Sequence, residues 1–441
     1  MKKLICFVVC SIMAYCIYGQ ENSKKNLSDV EKIVGLSKCW SEVKYNFAYF
    51  DKLSFDWDSL YQASIPVVLA TKTDFEYFRE LQRFIATLKD GHSSVNFNWT
   101  RNDLWENWST IPLLTRFIEG KMIVIALLND TLEQKGIKKG LEVIRINDID
   151  TYEYVSKNIK PYLNSSTEQW LNRNAYGREA TRGKNSEEIR LTFKDEKNNT
   201  FTRSINHSMS DKNFYSKPLF NFSEIKDNIG LLKINSFLGD NYIKQFDSIY
   251  EKLGHLDALI IDIRDNAGGN SSYSKYILSH LTSKPFKMSD WSTPLYNPAN
   301  ASWNYPKEWY LQKSYDNPPV MNKKIFTKPV VLLINEGTFS SAEDFCVGFR
   351  SMKRGYIIGT PSGGSTGNAI YFDLPGGGRL QICTKKDTYP DGTEFVGVGI
   401  IPDIEVKETI PSFLSTMQSE IDNSLATRKA IEILEKAIKE K

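Results

Sequence analysis

A serine stands at the point where a predicted buried strand, Val330 to Ile334, gives way to a helix. The run reads Asn335-Glu336-Gly337-Thr338-Phe339-Ser340-Ser341-Ala342-Glu343. A hydroxyl at this turn lies beside the positive end of the helix, close to free backbone N–H groups. Such a position suits a nucleophile and offers donors to an oxyanion. Taken alone, the pattern is also that of a Ser N-cap, which is common at helix starts.

Two glycines follow a second predicted buried strand. The run is Ile260-Ile261-Asp262-Ile263-Arg264-Asp265-Asn266-Ala267-Gly268-Gly269, and a helix pattern comes next. Glycine permits backbone conformations in which successive N–H groups converge on an anion. The alternative is a tight strand-to-helix turn without a ligand. The run is neither a GxGxxG fingerprint nor a Gly-Lys-Ser/Thr phosphate loop.

A histidine follows the turn that ends a predicted helix, in the run Leu88-Lys89-Asp90-Gly91-His92. Histidine is the side chain best suited to proton transfer near neutral pH. By itself, His92 is also typical of a loop histidine with an ordinary hydrogen bond. The chain has four His and contains no CxxC or HExxH run, so we expect no metal site.

Three patterns of residues position these groups. Residues 20–105 have apolar side chains at helical spacing and predict an N-terminal helical region. Residues 106–208 alternate short strands with one predicted helix, Tyr152 to Ile159, and end in a hairpin around Asn198. Residues 209–410 alternate strands and helices, which indicates an α/β core with crossover connections. An aromatic-rich loop, 285–327, interrupts the core and predicts an ordered lid, and residues 411–441 predict one closing amphipathic helix.

The first residues have the layout of an export signal. Lys2 and Lys3 precede an apolar stretch that is short for a membrane span, and a small residue, Gly19, precedes the polar chain. We therefore predict a signal peptide over residues 1–19. The alternatives are an uncleaved membrane anchor and a lipoprotein modified at Cys16.

Cleavage would leave three cysteines, Cys39, Cys346 and Cys383, which cannot all pair within the chain. Because two of them lie in apolar runs, buried free thiols are expected rather than disulfides. A net charge of +3 over 441 residues, without a long basic run, gives no reason to expect a nucleic-acid partner.

The three segments, in this order, resemble the signature of the C-terminal processing (tail-specific) and tricorn-core serine peptidases. That family carries L-x-D-G-H, a PDZ-like module, R-x-N-x-G-G, a Ser-x-x-Glu helix, a small-residue loop and G-x-G-I-x-P-D. The last two correspond here to residues 359–364 and 397–403. The resemblance covers nearly the whole mature chain.

The resemblance implies that Ser340 is the nucleophile, with Gly268 and the N–H of Ser341 as oxyanion donors. The tail-specific branch uses a Lys about 25 residues after this serine as its base. Ser365 occupies that position, and residues 355–370 hold no Lys. The resemblance is therefore closer to the tricorn-like branch, in which a histidine, here His92, is the base.

That branch also uses a Glu shortly before the G-x-G-I-x-P-D stretch. The expected position holds Val396, and the nearest acid is Glu394, which we predict to be the third catalytic member. Asp391, Asp387 and a hydroxyl such as Ser93 are the alternatives.

The resemblance implies an α/β, multi-domain fold with a crotonase/Clp-protease-like core, a PDZ-like module over 106–208 and a helical N-terminal region. It implies a serine endopeptidase, without a cofactor, acting on unfolded or C-terminally recognised polypeptides. The predicted location is the periplasm or cell envelope, without a stable membrane span after signal cleavage. The competing hypothesis is a binding protein of the same fold for peptides, glycans or hydrophobic ligands, whose hydrolytic site has decayed.

Overall fold

The computed structural model describes residues 26–97, 108–207, 218–416 and 422–440. The predicted signal segment, residues 1–19, lies outside the described residues. The helices are α1 Asp29–Asn46, α2 Trp57–Ala70, α3 Asp74–Ala86, α4 Thr131–Gln134, α5 Thr151–Asn158, α6 Glu168–Ala175, α7 Tyr242–Tyr250, α8 Ser271–Ser279, α9 Pro298–Ser302, α10 Ser341–Ser351, α11 Ile410–Thr416 and α12 Leu425–Lys439.

The strands are β1 Ser94–Asn96, β2 Trp108–Thr110, β3 Leu113–Ile118, β4 Lys121–Leu127, β5 Glu142–Ile146, β6 Ile149–Asp150, β7 Arg182–Lys184, β8 Glu188–Lys194, β9 Thr200–Asn206, β10 Phe220–Lys226, β11 Ile229–Ile234, β12 Ala258–Asp262, β13 Asp290–Leu295, β14 Glu308–Gln312, β15 Val330–Ile334, β16 Ile357–Gly359, β17 Ala369–Asp373, β18 Arg379–Cys383, β19 Lys386–Thr388 and β20 Ile404–Glu405.

The first three helices form the predicted N-terminal helical region. Ser28 begins α1 with a capping box completed by Glu31, and the Thr73 side chain caps α3. The apolar face of α3, including Phe78 and Leu81, is buried in a core shared with β1 and β18. The turn after α3 therefore delivers His92 to the start of β1, which pairs with β18.

A six-stranded sheet forms the centre of the core, in the order β10-β11-β12-β15-β16-β20. All its neighbouring strands are parallel except β10 and β11. Strands β12 and β15 are buried along their whole length, as their continuous apolar runs predict. Since the carboxyl ends of parallel strands meet at one edge, the turns after β12 and β15 bring Gly268 and Ser340 together.

The unit predicted over 106–208 contains an antiparallel sheet in the order β3-β4-β5-β8-β9, with β6 beside β5. The hairpin around Asn198 is present as β8 and β9. The prediction of one helix in this unit is wrong, because α4 and α6 lie in it as well as α5. The Thr167 side chain starts α6 by accepting a hydrogen bond from the Trp170 amide. This helix has 8 residues, fewer than the window of about 11 or more residues over which helical periodicity is recognised.

The aromatic insertion is ordered and contains strands β13 and β14 with α9 between them. Strand β13 also pairs with β19, which fastens the insertion to the core. Several of its large side chains, including Trp303 and Tyr305, are exposed.

The predicted closing helix is two helices, α11 and α12. The Ser424 side chain accepts from the Thr427 amide and begins α12 as a new helix. Arg264, two residues after the end of the buried strand β12, binds both Ser424 and Asp422, so the end of the chain is anchored to the core. Within the four described stretches, no helix is long and apolar enough to cross a membrane.

Candidate active site

Ser340 has a strained backbone. Its φ of 57° and ψ of −125° lie where residues with a Cβ are rarely found, and it directly precedes α10. This conformation lies at the turn between β15 and α10. The Ser340 N–H donates to Glu343 at 3.1 Å, while the hydroxyl faces His92. The serine therefore does more than an ordinary helix cap.

His92 lies between two hydroxyls. Its Nε2 is 3.1 Å from Ser340 Oγ, and its Nδ1 is 2.8 Å from Ser365 Oγ. The imidazole is stacked on Phe339, with ring centroids 4.9 Å apart and an interplanar angle of 5°. Asp90 accepts from the His92 N–H at 3.0 Å and fixes the loop. With Nδ1–H donating to Ser365, Nε2 is free to accept the Ser340 proton.

Glu343 holds the loop that carries Ser365. Its carboxylate is buried and accepts from the amides of Gly364 at 2.8 Å and Ser365 at 2.9 Å, and from the hydroxyl of Ser362. It also accepts from the Ser340 amide, so one carboxylate joins the nucleophile to the partner of His92. Burial raises the pKa of Glu343 to about 8, against the opposing effect of these four donors.

Gly268 lies against the nucleophile turn. A Cβ at this position would be 2.8 Å from Ser340 Cβ and 2.9 Å from Ser341 N, and its φ is +97°. Both the close approach and the backbone conformation require glycine. Ser341 is the first residue of α10, so its amide has no acceptor within the helix. The Gly268 amide donates to Asn266 Oδ1 at 2.9 Å, so it must be shared or released before it can bind an oxyanion.

The comparison with protein families covers the part of the chain that holds the serine and both glycine-rich loops. Peptidase family S41 matches residues 228–406. This chain carries an S41 peptidase domain. The resemblance predicted from the sequence motifs is thereby confirmed at the level of the family.

Two curated proteins that are similar to this chain are processing peptidases. Over 84 residues it is 36% identical to a carboxy-terminal-processing protease of Bartonella bacilliformis, and the match covers 19% of each protein. Over 185 residues it is 23% identical to the carboxyl-terminal-processing peptidase 2, chloroplastic, of Arabidopsis thaliana, covering 42% of this chain and 33% of that protein. The chain thus spans no more than about a third of the length of either relative.

Among solved structures, mature CPAF complexed with lactacystin is similar over almost the whole chain. The TM-score is 0.71 and the identity 14%, with 94% of this chain and 99% of that chain covered. At 14% identity this similarity is evidence about the fold alone, and it confirms a mixed α/β architecture for this chain.

Glu394 does not lie beside His92, and its predicted place in the site is wrong. It forms an ion pair with Lys52, and its side chain is 48% exposed. The cause is local, since Glu394 lies in the short connection between β19 and the G-x-G-I-x-P-D stretch, which directs it outward. The residue that bonds to Nδ1 of His92 is instead Ser365, which belongs to the small-residue loop.

The alternatives to Glu394 are also engaged elsewhere. Asp391 is in an exposed turn and accepts from the Thr393 amide. Asp387 is buried and pairs with Lys385 at 2.9 Å. Ser93 donates to Asp90 at 2.8 Å. None of the three has a hydrogen bond to His92 among the described residues.

Lys385 is the lysine whose charge acts on His92. Its own pKa is raised, despite burial, by Asp387 and Asp344. A lysine held in its charged form is a poor base, so Lys385 is not suited to act as the base of a Ser–Lys dyad. Burial, with a smaller contribution from Lys385, lowers the pKa of His92 to about 4. The imidazole is therefore neutral at neutral pH, which is the form that can accept a proton.

Ser365 is the residue whose role sequence reasoning missed. In the sequence, Ser365 stands out only because it occupies the position where the tail-specific branch has a lysine. The available signal was its place in the small-residue loop, 25 residues after Ser340. The hydrogen bond between a loop serine and a histidine 273 residues away leaves no trace in local patterning.

Proposed function

We propose that this protein is a serine endopeptidase in which Ser340 is the nucleophile, His92 the general base and Ser365 the residue that orients His92. The observation that carries the proposal is the chain of contacts from Ser340 Oγ to His92 Nε2 (3.1 Å) and from His92 Nδ1 to Ser365 Oγ (2.8 Å). A neutral hydroxyl is a weak nucleophile, and a base within hydrogen-bonding distance is what activates it.

In the first step, Ser340 Oγ attacks the carbonyl carbon of the scissile peptide bond while its proton passes to His92 Nε2. The C–N bond then breaks, His92 returns the proton to the leaving amine, and an ester to Ser340 remains. Water, deprotonated by His92, attacks this ester, and Ser340 is released with its proton restored. Nδ1–H of His92 stays hydrogen-bonded to Ser365 throughout, which keeps Nε2 as the reacting nitrogen.

The oxyanion of each tetrahedral intermediate requires preorganised donors. The Ser341 amide is such a donor, since it begins α10 and adds the favourable end of the helix dipole. The Gly268 amide is the second donor, and it reaches the oxyanion when it leaves or shares Asn266. This pair of amides is the same as the one that the sequence predicts.

The substrate class follows from the family and from the second sheet. We propose unfolded or C-terminally recognised polypeptides, captured by the 106–208 unit acting as a PDZ-like module beside a crotonase-like core. Strand β3 is an edge strand of that unit, which suits addition of an extended peptide. We propose, as parts of the same enzyme, an N-terminal region over 20–105, the PDZ-like module over 106–208, the catalytic core over 209–410 and a C-terminal segment over 411–441.

We further propose export to the periplasm or cell envelope, on the basis of the first nineteen residues. N-terminal sequencing of the mature protein should begin at or near Gln20. Recovery of intact Met1 on protein from the cytoplasm would contradict it.

The test of the enzymatic function is labelling with a serine-directed fluorophosphonate. Wild-type protein should be labelled once, at Ser340, and should cleave an unstructured polypeptide. Ser340→Ala should keep the fold and lose both properties, while Ser341→Ala, which retains the backbone N–H, should keep most of both. A folded wild-type protein that is neither labelled nor active across a broad peptide library would support the binding-protein hypothesis, which the contact between Ser340 and His92 does not favour.

A further inference from the structure

Helix α6 and the turn before it contact every loop of the proposed active site. We call the segment from Asn164 to Arg173 the loop clamp. It belongs to the 106–208 unit, whereas the loops that it contacts belong to the core and to the N-terminal region. Its side chains contribute contacts of three kinds, namely hydrogen bonds to backbone, a ring stack and an ion pair.

The His92 loop is held from the first residues of the loop clamp. Ser166 Oγ accepts from the Gly91 amide at 2.9 Å. Asn164 donates to the carbonyl of Ser93, on the other side of the histidine. The backbone on both sides of His92 is thus fixed by two side chains from another part of the fold.

The Ser365 loop is held by the next residues. Thr167 Oγ1 donates to the Gly363 carbonyl at 2.7 Å. Gln169 Nε2 donates to the carbonyls of Ser362 and Val398, each at 2.9 Å, and so ties this loop to the G-x-G-I-x-P-D stretch.

The nucleophile turn is held by a stack of three rings. Trp170 lies 4.1 Å from Phe339 between centroids, at an interplanar angle of 13°, and Phe339 in turn stacks on His92. Gly91 and Gly363 make room for Phe339, since a Cβ would lie 2.8 Å from its ring at Gly91 and 2.7 Å from it at Gly363. Trp170 therefore supports the residue that precedes Ser340 and, through it, the face of the imidazole.

The glycine turn is held by an ion pair at the end of the loop clamp. Arg173 Nη1 is 2.8 Å from Asp265 Oδ1, and Arg116 of β3 binds both Asp265 and Glu336. Asp265 precedes the glycine turn and Glu336 precedes the Ser340 turn. The side chain of Asp265 is only partly exposed, and the two arginines hold its pKa well below the ordinary value.

We propose that the loop clamp is the positioning element of this active site, with Trp170 as its central residue. It assembles four loops that come from distant parts of the chain, and none of its residues touches the reacting atoms. This inference rests on the proposed function of Ser340, His92 and Ser365. Displacement of a catalytic group by about 1 Å can cost 10²-fold in rate, so the loss of the stack should be visible in turnover.

The test compares Trp170→Ala, Trp170→Phe and Glu168→Gln. Glu168 lies on the same helix, but it is exposed and pairs with Lys160, so Glu168→Gln is the matched control. We expect Trp170→Ala to lose about 30- to 100-fold in kcat and in the rate of fluorophosphonate labelling, with KM changed less than about threefold. Trp170→Phe, which keeps a ring over Phe339, should recover most of the loss, and Glu168→Gln should match wild type.

Amide hydrogen exchange over residues 88–93, 335–341 and 362–366 supplies a readout that does not depend on activity. Trp170→Ala should expose all three stretches to exchange, whereas Glu168→Gln should not. If Trp170→Ala does not fold, Gln169→Ala is used, and its increase in exchange should be confined to 362–366. Wild-type loops that are protected in an inactive protein would overturn the proposed function and leave the clamp standing. Normal labelling and normal protection in a folded Trp170→Ala or Gln169→Ala variant would overturn the clamp.

Discussion

Ser365 Oγ lies 2.8 Å from Nδ1 of His92, in the place that a carboxylate occupies in Ser-His-Asp triads. A hydroxyl can accept a hydrogen bond from Nδ1–H. It thereby selects the tautomer in which Nε2 is unprotonated, which is the form that a base requires. It carries no charge, so it does little for the imidazolium that forms during the reaction. This difference is consistent with the lowered pKa of His92, because burial has a larger effect on that pKa than the opposing charge of Asp344.

Removal of the Ser365 hydroxyl should impair orientation without abolishing the nucleophile. We expect Ser365→Ala to lower kcat/KM by about 10- to 100-fold, less than the loss from His92→Ala, because the ring can still reach Ser340 in a fraction of its orientations. Peptide hydrolysis under first-order conditions measures it. Ser94→Ala, which removes a hydroxyl that contacts Asn96, is the control and should keep wild-type activity. Unchanged activity in Ser365→Ala would contradict the assigned role.

Glu394 should be dispensable for turnover. Because it pairs with Lys52 at the surface, Glu394→Gln should change kcat/KM by less than about twofold and stability by at most about 1 kcal/mol. The measurements are peptide hydrolysis and thermal unfolding. A loss of several orders of magnitude would mean that the carboxylate swings to the histidine in the working enzyme.

Glu343 should be essential for the arrangement of both loops. In Glu343→Gln, the –NH2 group faces at least one backbone amide donor in either orientation of the side chain, so one or two hydrogen bonds are lost in a buried place. We expect stability to fall by about 2 to 4 kcal/mol and kcat/KM to fall at least about tenfold. Denaturant unfolding, with Glu394→Gln as the matched control, checks this. Equal stability of Glu343→Gln and Glu394→Gln would show that the Glu343 carboxylate does not stabilise the two loops.

The pH dependence of activity should reflect the buried histidine. Since the pKa of His92 is lowered to about 4, its neutral form should persist well below the ordinary value of about 6.5, and kcat/KM should fall only as the pH approaches 4. The unfolded chain protonates this histidine first, so stability should decline as the pH falls from about 6.5 to 4. Circular dichroism at each pH separates unfolding from loss of activity. A drop near pH 6 would contradict the lowered pKa of His92, or show that activity depends on Asp90 or Asp387, whose pKa values burial raises to about 6.

The strands and helices that carry Gly268 and Ser340 could be predicted from the sequence because their signals are local. A continuous apolar run ending in a glycine turn or a serine identifies a buried strand and the helix after it, and the structure has β15 at the predicted bounds and α10 beginning at Ser341. His92 was placed in the site by its motif and by order along the chain. The contact itself joins residues 248 positions apart.

What the sequence did not reveal depends on contacts between distant segments. Helix α6 is short, yet Trp170 and Gln169 reach the site from it. The prediction of Glu394 uses only its distance along the chain from a motif, and that distance carries no information on the partner that the side chain meets in the fold, which is Lys52 at the surface. Ser365 was overlooked because its function comes from its neighbour across the site.

The three cysteines of the described part of the chain, Cys39, Cys346 and Cys383, are all buried free thiols. Burial raises the pKa of each, so the thiolate that reacts with oxidants is scarce and shielded. Cys383 lies close to the histidine loop, since its amide donates to the Ser93 hydroxyl. The folded site should therefore tolerate an oxidising surrounding as well as a reducing one, and neither thiol reagents nor reductants should alter its turnover.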